Sequence, residues 1–317
     1  MASQPPIRIG TRASKLARTQ SGQMQLRIAA ALGAGPERAD EVAPLVLITT
    51  SGDRIQDRRL LDAGGKGLFV KEIEEALLDG RIDCAVHSMK DMPAALPPGL
   101  CIAAIPERED PRDALISRGG ARFDVLPEGA RLGTASLRRQ AQALHRRPDL
   151  RIEMLRGNVD TRLARLEAGE FDAILLAAAG LRRLGLEDHI TEFLDPVEAP
   201  PAPGQGALAI QTRTVDAGSP WLAALRDAPT LIAVAAERGA LEALEGSCRT
   251  AIGAHARLAA GRLSLIVEAL TPDGKARFRE DASVLLDGSG DEAEARALGL
   301  RLGQAIRAAA GDRIIWA

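Results

Sequence analysis

The chain of 317 residues is 46% hydrophobic and 26% charged, enough to build two or three domains with cores of their own and unlike a disordered segment. Its 41 basic and 43 acidic side chains leave a formal net charge of −2, so no global field draws it to nucleic acid or to an anionic membrane, and any anion site must be built locally. No apolar run approaches the roughly 18 residues of a membrane span, and Met1 to Pro6 lack the charged and apolar regions of a signal peptide, so the expected location is cytoplasmic.

In chain order, residues 7–9 read as a short strand, and Ser14 caps a helix whose Leu16, Met24, Ile28 and Leu32 share one side. A second strand at 45–48 leads into a polar stretch, 50–66, rich in Asp, Arg and Gly and expected to be mobile. A helix follows, with Leu68 or Phe69, Ile73, Ala76 and Leu77 as its apolar stripe, Glu72, Glu74 and Glu75 outside the stripe, and Gly80 as the stop. The apolar run 82–86 reads as a buried strand that leaves its sheet at His87, Ser88, Met89, Lys90, Asp91, Met92 and Pro93. Open α/β sheets bind ligands beyond such strand ends, so Lys90 and Asp91 are either candidates for chemistry or an ordinary exposed ion pair. Cys84 in this strand and Cys101 in the apolar run 100–105 read as small buried hydrophobes.

A charged, proline-bearing link at 106–112 separates this unit from a second series, with strands at 131–133, 151–155 and 173–176. Between them lie a helix at 136–145, with Leu137, Ala141 and Leu144 inward, and one at 158–167, with Val159, Leu163 and Leu166 inward. Such alternation implies two domains built on parallel sheets. The stiff tract 196–204 precedes a strand at 207–210 expected to rejoin the first domain. After about residue 229 a helix runs to Leu244. Strands at 252–258, 263–270 and 276–286 then follow at short turns, and a last helix passes through Leu298, Leu302 and Ile306, a small α+β domain. The expected division is 1–106 with 201–228, then 107–200, then 229–317. Cys248 stands at the entrance of the third domain, in a glycine-containing loop beside Arg249. It is either a thiol with a lowered pKa or a chance neighbour of an arginine. The three cysteines cannot all pair, and neither their spacing nor the four scattered histidines fit a metal site.

Charge is concentrated between Arg131 and Arg165, where nine arginines face three acids, Asp149, Glu153 and Asp160. Arg138 and Arg139 follow Thr134 and Ser136 into the first turn of a helix, where cations oppose the helix dipole unless an anion compensates them. Arg156 beside Gly157, Arg162 one turn into the next helix, and Arg12 near Ser14 occupy similar strand-end positions. Together they suit several carboxylates or phosphates. The alternative is a solvated basic face, to which Arg146, Arg147 and Arg165 are assigned. Five Phe, two Trp and no Tyr leave almost nothing to stack bases, which argues against nucleic acid. No Gly-x-Ser-x-Gly elbow is present, and the run from Gly64 through Lys66 to Gly67 lacks the spacing of a phosphate loop.

These residues resemble the porphobilinogen deaminase family. The resemblance is carried, in order, by Ile7 to Arg12, Gly64 to Phe69, His87 to Asp91, Glu107 to Ala114, Leu137 to Gln140, Leu155 to Val159, Pro203 to Ala207 and Gly246 to Cys248. It implies an α/β fold of three domains: two doubly wound halves like those of a type II periplasmic binding protein, flanking a cleft with the first half discontinuous, and a C-terminal α+β domain with a three-stranded antiparallel sheet. It also implies a dipyrromethane cofactor joined by a thioether to Cys248, onto which four porphobilinogen units are added with loss of ammonia before water releases hydroxymethylbilane.

By motif, the resemblance implies that Asp91 is the catalytic carboxylate. Lys90, Ser88, Thr134, Ser136, Arg138, Arg139 and Arg162 are cofactor contacts, and Arg12, Ser14, Arg156, Arg183 and Gln205 are substrate contacts. Lys66 belongs to a lid over 50–66, in which Asp62 stands where relatives often carry a basic residue. No metal and a monomer are implied. The rival readings are a non-catalytic two-domain binding protein and a polyanion-binding module, which need neither Asp91 nor an accessible Cys248.

Overall fold

A computed structural model describes residues 5–51, 70–244 and 250–314. β1 (Ile9–Thr11) leads through α1 (Lys15–Ala31) to β2 (Leu45–Leu47), and α2 (Lys71–Leu78) precedes β3 (Cys84–Ser88) and β4 (Leu100–Ala104). Then come β5 (Asp113–Ser117), β6 (Arg131–Gly133), α3 (Leu137–Arg146), β7 (Arg151–Glu153), α4 (Val159–Glu167), β8 (Ala173–Ala177), α5 (Ala178–Arg183), β9 (Glu192–Phe193) and β10 (Leu208–Arg213). The last part comprises α6 (Ala228–Ala243), β11 (Ala251–Ala259), β12 (Arg262–Leu270), β13 (Arg277–Leu285) and α7 (Asp291–Ala310). Among the described residues, packing groups 5–51 and 70–108 with Ala207–Leu231 as one unit, and Glu109–Gly206 with 232–244 and 250–314 as another.

The first unit holds a five-stranded sheet in the order β2-β1-β3-β10-β4. Alternation along β3 sends Cys84 and Val86 to a core with Ile9, Ile28 and Ile210. Ala85 goes to the opposite core with Ile73, Leu77 and Ile82, so both faces are covered. The second unit repeats the plan as β7-β6-β8-β5-β9, with Leu115, Leu132 and Leu175 on one face and Ala114, Ile174 and Leu176 on the other. It also contains the antiparallel sheet β11-β12-β13, whose Leu263, Leu265 and Val267 pack with Leu298, Leu302 and Ile306 of α7.

The two larger sheets are mixed, where wholly parallel sheets are expected from the strand-helix alternation. β1 runs parallel to β2 and β3, and β6 to β7 and β8. β10 lies antiparallel to β3 and β4, and β5 antiparallel to β8 and β9. β5 and β9 are absent from the sequence reading for a local reason: β5 opens on a carboxylate, Asp113, and β9 has two residues. On α2, Ile73, Ala76 and Leu77 are buried as expected, but so is Glu74, expected outside. Its Oε1 accepts from Gln211 Nε2 at 2.9 Å, which satisfies it within the fold. Cys84 is fully buried, whereas Cys101 is only partly so.

Candidate active site

In the first unit, parallel pairing of β1 and β3 brings their carboxyl ends to one edge. Arg12 and Ser14 follow β1, and Ser88, Lys90 and Asp91 end β3 in a single 3-10 turn. Met89 and Met92 anchor that turn from below, buried, while Lys90 and Asp91 are exposed. Ser14 caps α1, its Oγ accepting from the Ala17 N–H at 3.3 Å, and Ser88 Oγ accepts from Gln20 Nε2 at 3.2 Å. Beneath this edge lies a buried polar chain absent from the sequence reading. Gln211 Nε2 donates to Glu74, which turns Gln211 Oε1 toward His87 Nε2 at 3.0 Å and makes that nitrogen the protonated one. Burial pulls the His87 pKa down to about 4, with the charge of Arg12 adding to the effect against the Gln211 hydrogen bond. His87 is therefore a neutral structural donor under the strand end.

In the second unit the same edge of the sheet gathers the arginines. Thr134 and Ser136 follow β6. Ser136 caps α3 by accepting from the Arg139 N–H at 3.4 Å, and Thr134 Oγ1 accepts from the Ser136 N–H at 3.1 Å. Arg138 and Arg139 are 5% and 7% exposed, and both point at Asp113, itself 1% exposed. Arg138 Nη1 reaches Asp113 Oδ2 at 2.6 Å, Arg139 Nε and Nη2 reach Oδ1 at 3.0 and 2.8 Å, and Gln205 Nε2 reaches Oδ1 at 2.8 Å. Burial alone would raise the Asp113 pKa, but the two guanidiniums hold it far below the ordinary carboxylate range. The anion expected to compensate these helix-start cations is thus supplied by the protein itself. α3 accordingly buries Arg138, Arg139 and Ala143 along with the expected Ala141, whereas Leu137 and Leu144, expected inward, are only partly buried.

Arg156, Arg162 and Arg183 differ. Arg156 precedes Gly157, which holds φ at +112° and whose added Cβ would stand 3.0 Å from the Thr161 side chain, so glycine is required at this bend. Arg156 Nη1 and Arg138 Nε are buried and lack a hydrogen-bond partner among the described residues. Half-buried Arg162 donates from Nε to the Gly157 carbonyl at 2.8 Å. Its pKa is pulled from 12.5 to about 10, first by removal from water and then by the charges of Arg139 and Arg156. Arg183 donates from Nη2 to the Gly206 carbonyl at 2.7 Å and is likewise lowered by burial. Like charges this close, with orphaned donors, call for an external anion. A cavity of about 260 Å³ adjoins Asp113 and Arg139, but it is no substitute for that anion site: its buried charges are already matched, Glu268 with Arg277 and Asp113 with Arg139.

The residues assigned to a solvated face form ion pairs there: Arg146 with Asp124 and Arg165 with Glu170, both open to solvent, and the more covered Arg147 with Asp149. Cys248, Lys66 and Asp62 lie outside the described residues. No group of three or more His, Cys, Asp or Glu placed to hold a metal occurs among the described residues, and none of their helices is long and apolar enough to cross a membrane.

Comparison with known proteins decides the family. The description "Porphobilinogen deaminase, dipyromethane cofactor binding domain" matches residues 7–219, and "Porphobilinogen deaminase, C-terminal domain" matches residues 231–308. The porphobilinogen deaminase of Phenylobacterium zucineum is 68% identical over 99% of this chain and 100% of that protein. The one from Caulobacter vibrioides is 69% identical over 99% of each. The chain belongs to the porphobilinogen deaminase family. Among solved structures, protein PG110 from Staphylococcus aureus aligns with a TM-score of 0.42 at 12% identity, over 93% of this chain and 99% of that one.

Membership in the porphobilinogen deaminase family sets aside the non-catalytic readings and brings a dipyrromethane cofactor with it. The described residues fit such a group. Its substituents are carboxylates, and the buried orphan donors Arg138 Nε and Arg156 Nη1, with the strained cation Arg162, are what carboxylates satisfy.

Proposed function

We propose that the chain joins four porphobilinogen molecules head to tail, releasing one ammonia at each step, and frees hydroxymethylbilane by hydrolysis. The dipyrromethane, held as a thioether on Cys248, supplies the terminal pyrrole carbon from which the chain grows. The observation that carries the reading is full-length similarity to porphobilinogen deaminases, together with an arginine cluster whose charge exceeds its internal counter-charge.

Each residue then has a role its surroundings support. Asp91 is exposed on a turn pinned by two buried methionines, so its carboxylate is presented to ligand on a fixed base. There it stabilises the positive charge that develops on the substrate as ammonia leaves, and it relays the proton the pyrrole ring must lose. Arg156, Arg162 and Arg183 hold acetate and propionate groups. Arg138 and Arg139 add a net positive charge beyond their pairing with Asp113, and Gln205 steadies that pair. At the strand ends of the first unit Arg12, Ser14, Ser88 and Lys90, and at those of the second Thr134 and Ser136, are each assigned a carboxylate contact. The enzyme works as a cytoplasmic monomer.

Intact-mass measurement before and after porphobilinogen is added tests the reading. The protein should carry two pyrrole units at rest and gain further units singly, and a mass unchanged by substrate would overturn it.

A further inference from the structure

Asp113 is a buried carboxylate held by several side-chain donors, and the proposed chemistry does not use it. It begins β5, is 1% exposed, and receives Arg138, Arg139 and Gln205 from two other segments of the same unit. Other donors of those arginines reach main chain and Gln142, while Arg138 Nε has no hydrogen-bond partner among the described residues. Arg139 Nη1 donates to the Leu175 carbonyl at 3.0 Å and Arg138 Nη1 to the Pro200 carbonyl at 3.1 Å, with Gln142 Oε1 at 2.9 Å from the same nitrogen. One carboxylate thus orients two buried guanidiniums and cancels one of their two charges. The other charge stands beside Arg156 and Arg162, where burial and like charge already depress the Arg162 pKa.

We propose that Asp113 is a positioning residue that serves as the internal counter-ion of the cofactor site. Before loading, it holds Arg138 and Arg139 in the conformation that the carboxylates of an anionic tetrapyrrole precursor require, supplying part of the negative charge the ligand later brings. Two buried cations cannot share a helix turn without an anion, and an arginine pair left to find its own partner would collapse onto other acceptors. The proposal rests on the functional reading above for the identity of the ligand, but not for the electrostatics.

The test compares Asp113→Asn with its parent in two forms: the loaded enzyme, and a Cys248→Ser background that carries no cofactor. Asn keeps the shape of Asp and removes its charge. The melting temperature of the unloaded variant should fall by about 10 °C, as expected for unpaired buried charge, and that of the loaded variant by about half as much, because ligand carboxylates take over. Inorganic phosphate should restore the unloaded variant more than it stabilises the unloaded parent, with chloride at equal ionic strength as the control. Asp113→Ser reaches the same charge state with different packing and should show the same phosphate rescue. Equal losses in loaded and unloaded protein, or no selective rescue by phosphate, would make Asp113 a purely structural ion-pair member and overturn the proposal. So would failure of both variants to fold even with phosphate present. If the parent carries no pyrrole adduct at all, the functional reading fails, while the phosphate comparison still judges Asp113.

Discussion

Arg162→Met separates two opposed effects of a guanidinium in the arginine cluster. In unloaded protein the charge is a burden. A pKa drawn from 12.5 to about 10 disfavours the charged form by about 3 kcal/mol at 1.36 kcal/mol per unit, and partial exposure screens this to about 1–2 kcal/mol. Methionine keeps the unbranched stem and removes the repulsion, but it gives up the Nε hydrogen bond to the Gly157 carbonyl, worth about 1 kcal/mol. The unloaded fold should therefore change by less than about 1 kcal/mol. In loaded protein the same side chain contributes a charge-assisted carboxylate contact of about 1.5–3 kcal/mol, all of which is lost. Urea denaturation of Arg162→Met and its parent, each loaded and in the Cys248→Ser background, measures both terms. The stability gained on loading should shrink by about 2 kcal/mol. An equal loss in both forms would refute the electrostatic argument and leave Arg162 a packing residue.

Three further outcomes follow from the same arrangement. Cys248→Ser should fold but carry no acid-stable adduct, while Cys84→Ala and Cys101→Ala retain it; intact mass decides, and a full adduct on Cys248→Ser would reassign the anchor. Loaded Asp91→Asn should keep much of its substrate affinity but lose roughly 10²–10⁴-fold in single-turnover rate, the usual cost of lost acid–base catalysis, and an unchanged rate would remove Asp91 from the chemistry. The His87 pKa of about 4 lies below the ordinary 6.5, so between those values the unfolded chain binds the extra proton. Stability should be intact above pH 6.5 and fall by up to about 3 kcal/mol as pH drops to 4. Denaturation across pH 4–7 should show this slope, and its persistence in His87→Gln would assign it elsewhere.

Sequence alone determined the family, the strand-helix alternation of the two larger sheets, and the chemistry of the ligand. Motifs such as His87 to Asp91 and Leu155 to Val159 are contiguous, and contiguous runs carry both strand-end position and side-chain type. Periodicity placed Ile73, Ala76 and Leu77 inward because apolar burial repeats with the helix. The same rule misjudged Glu74 and the inner face of α3, where polar groups are buried on partners far away in the chain. Glu74 meets Gln211 across 137 positions, and Arg138 and Arg139 meet Asp113 across 25 and 26. Such pairs leave no local pattern, since a carboxylate that starts a strand looks like any exposed one until the fold closes around it. Tertiary structure alone decided which arginines are matched internally by Asp113 and which, Arg156 and Arg162, keep an unmet demand for an anion. That distinction depends on the distance and dielectric between groups, which only packing sets.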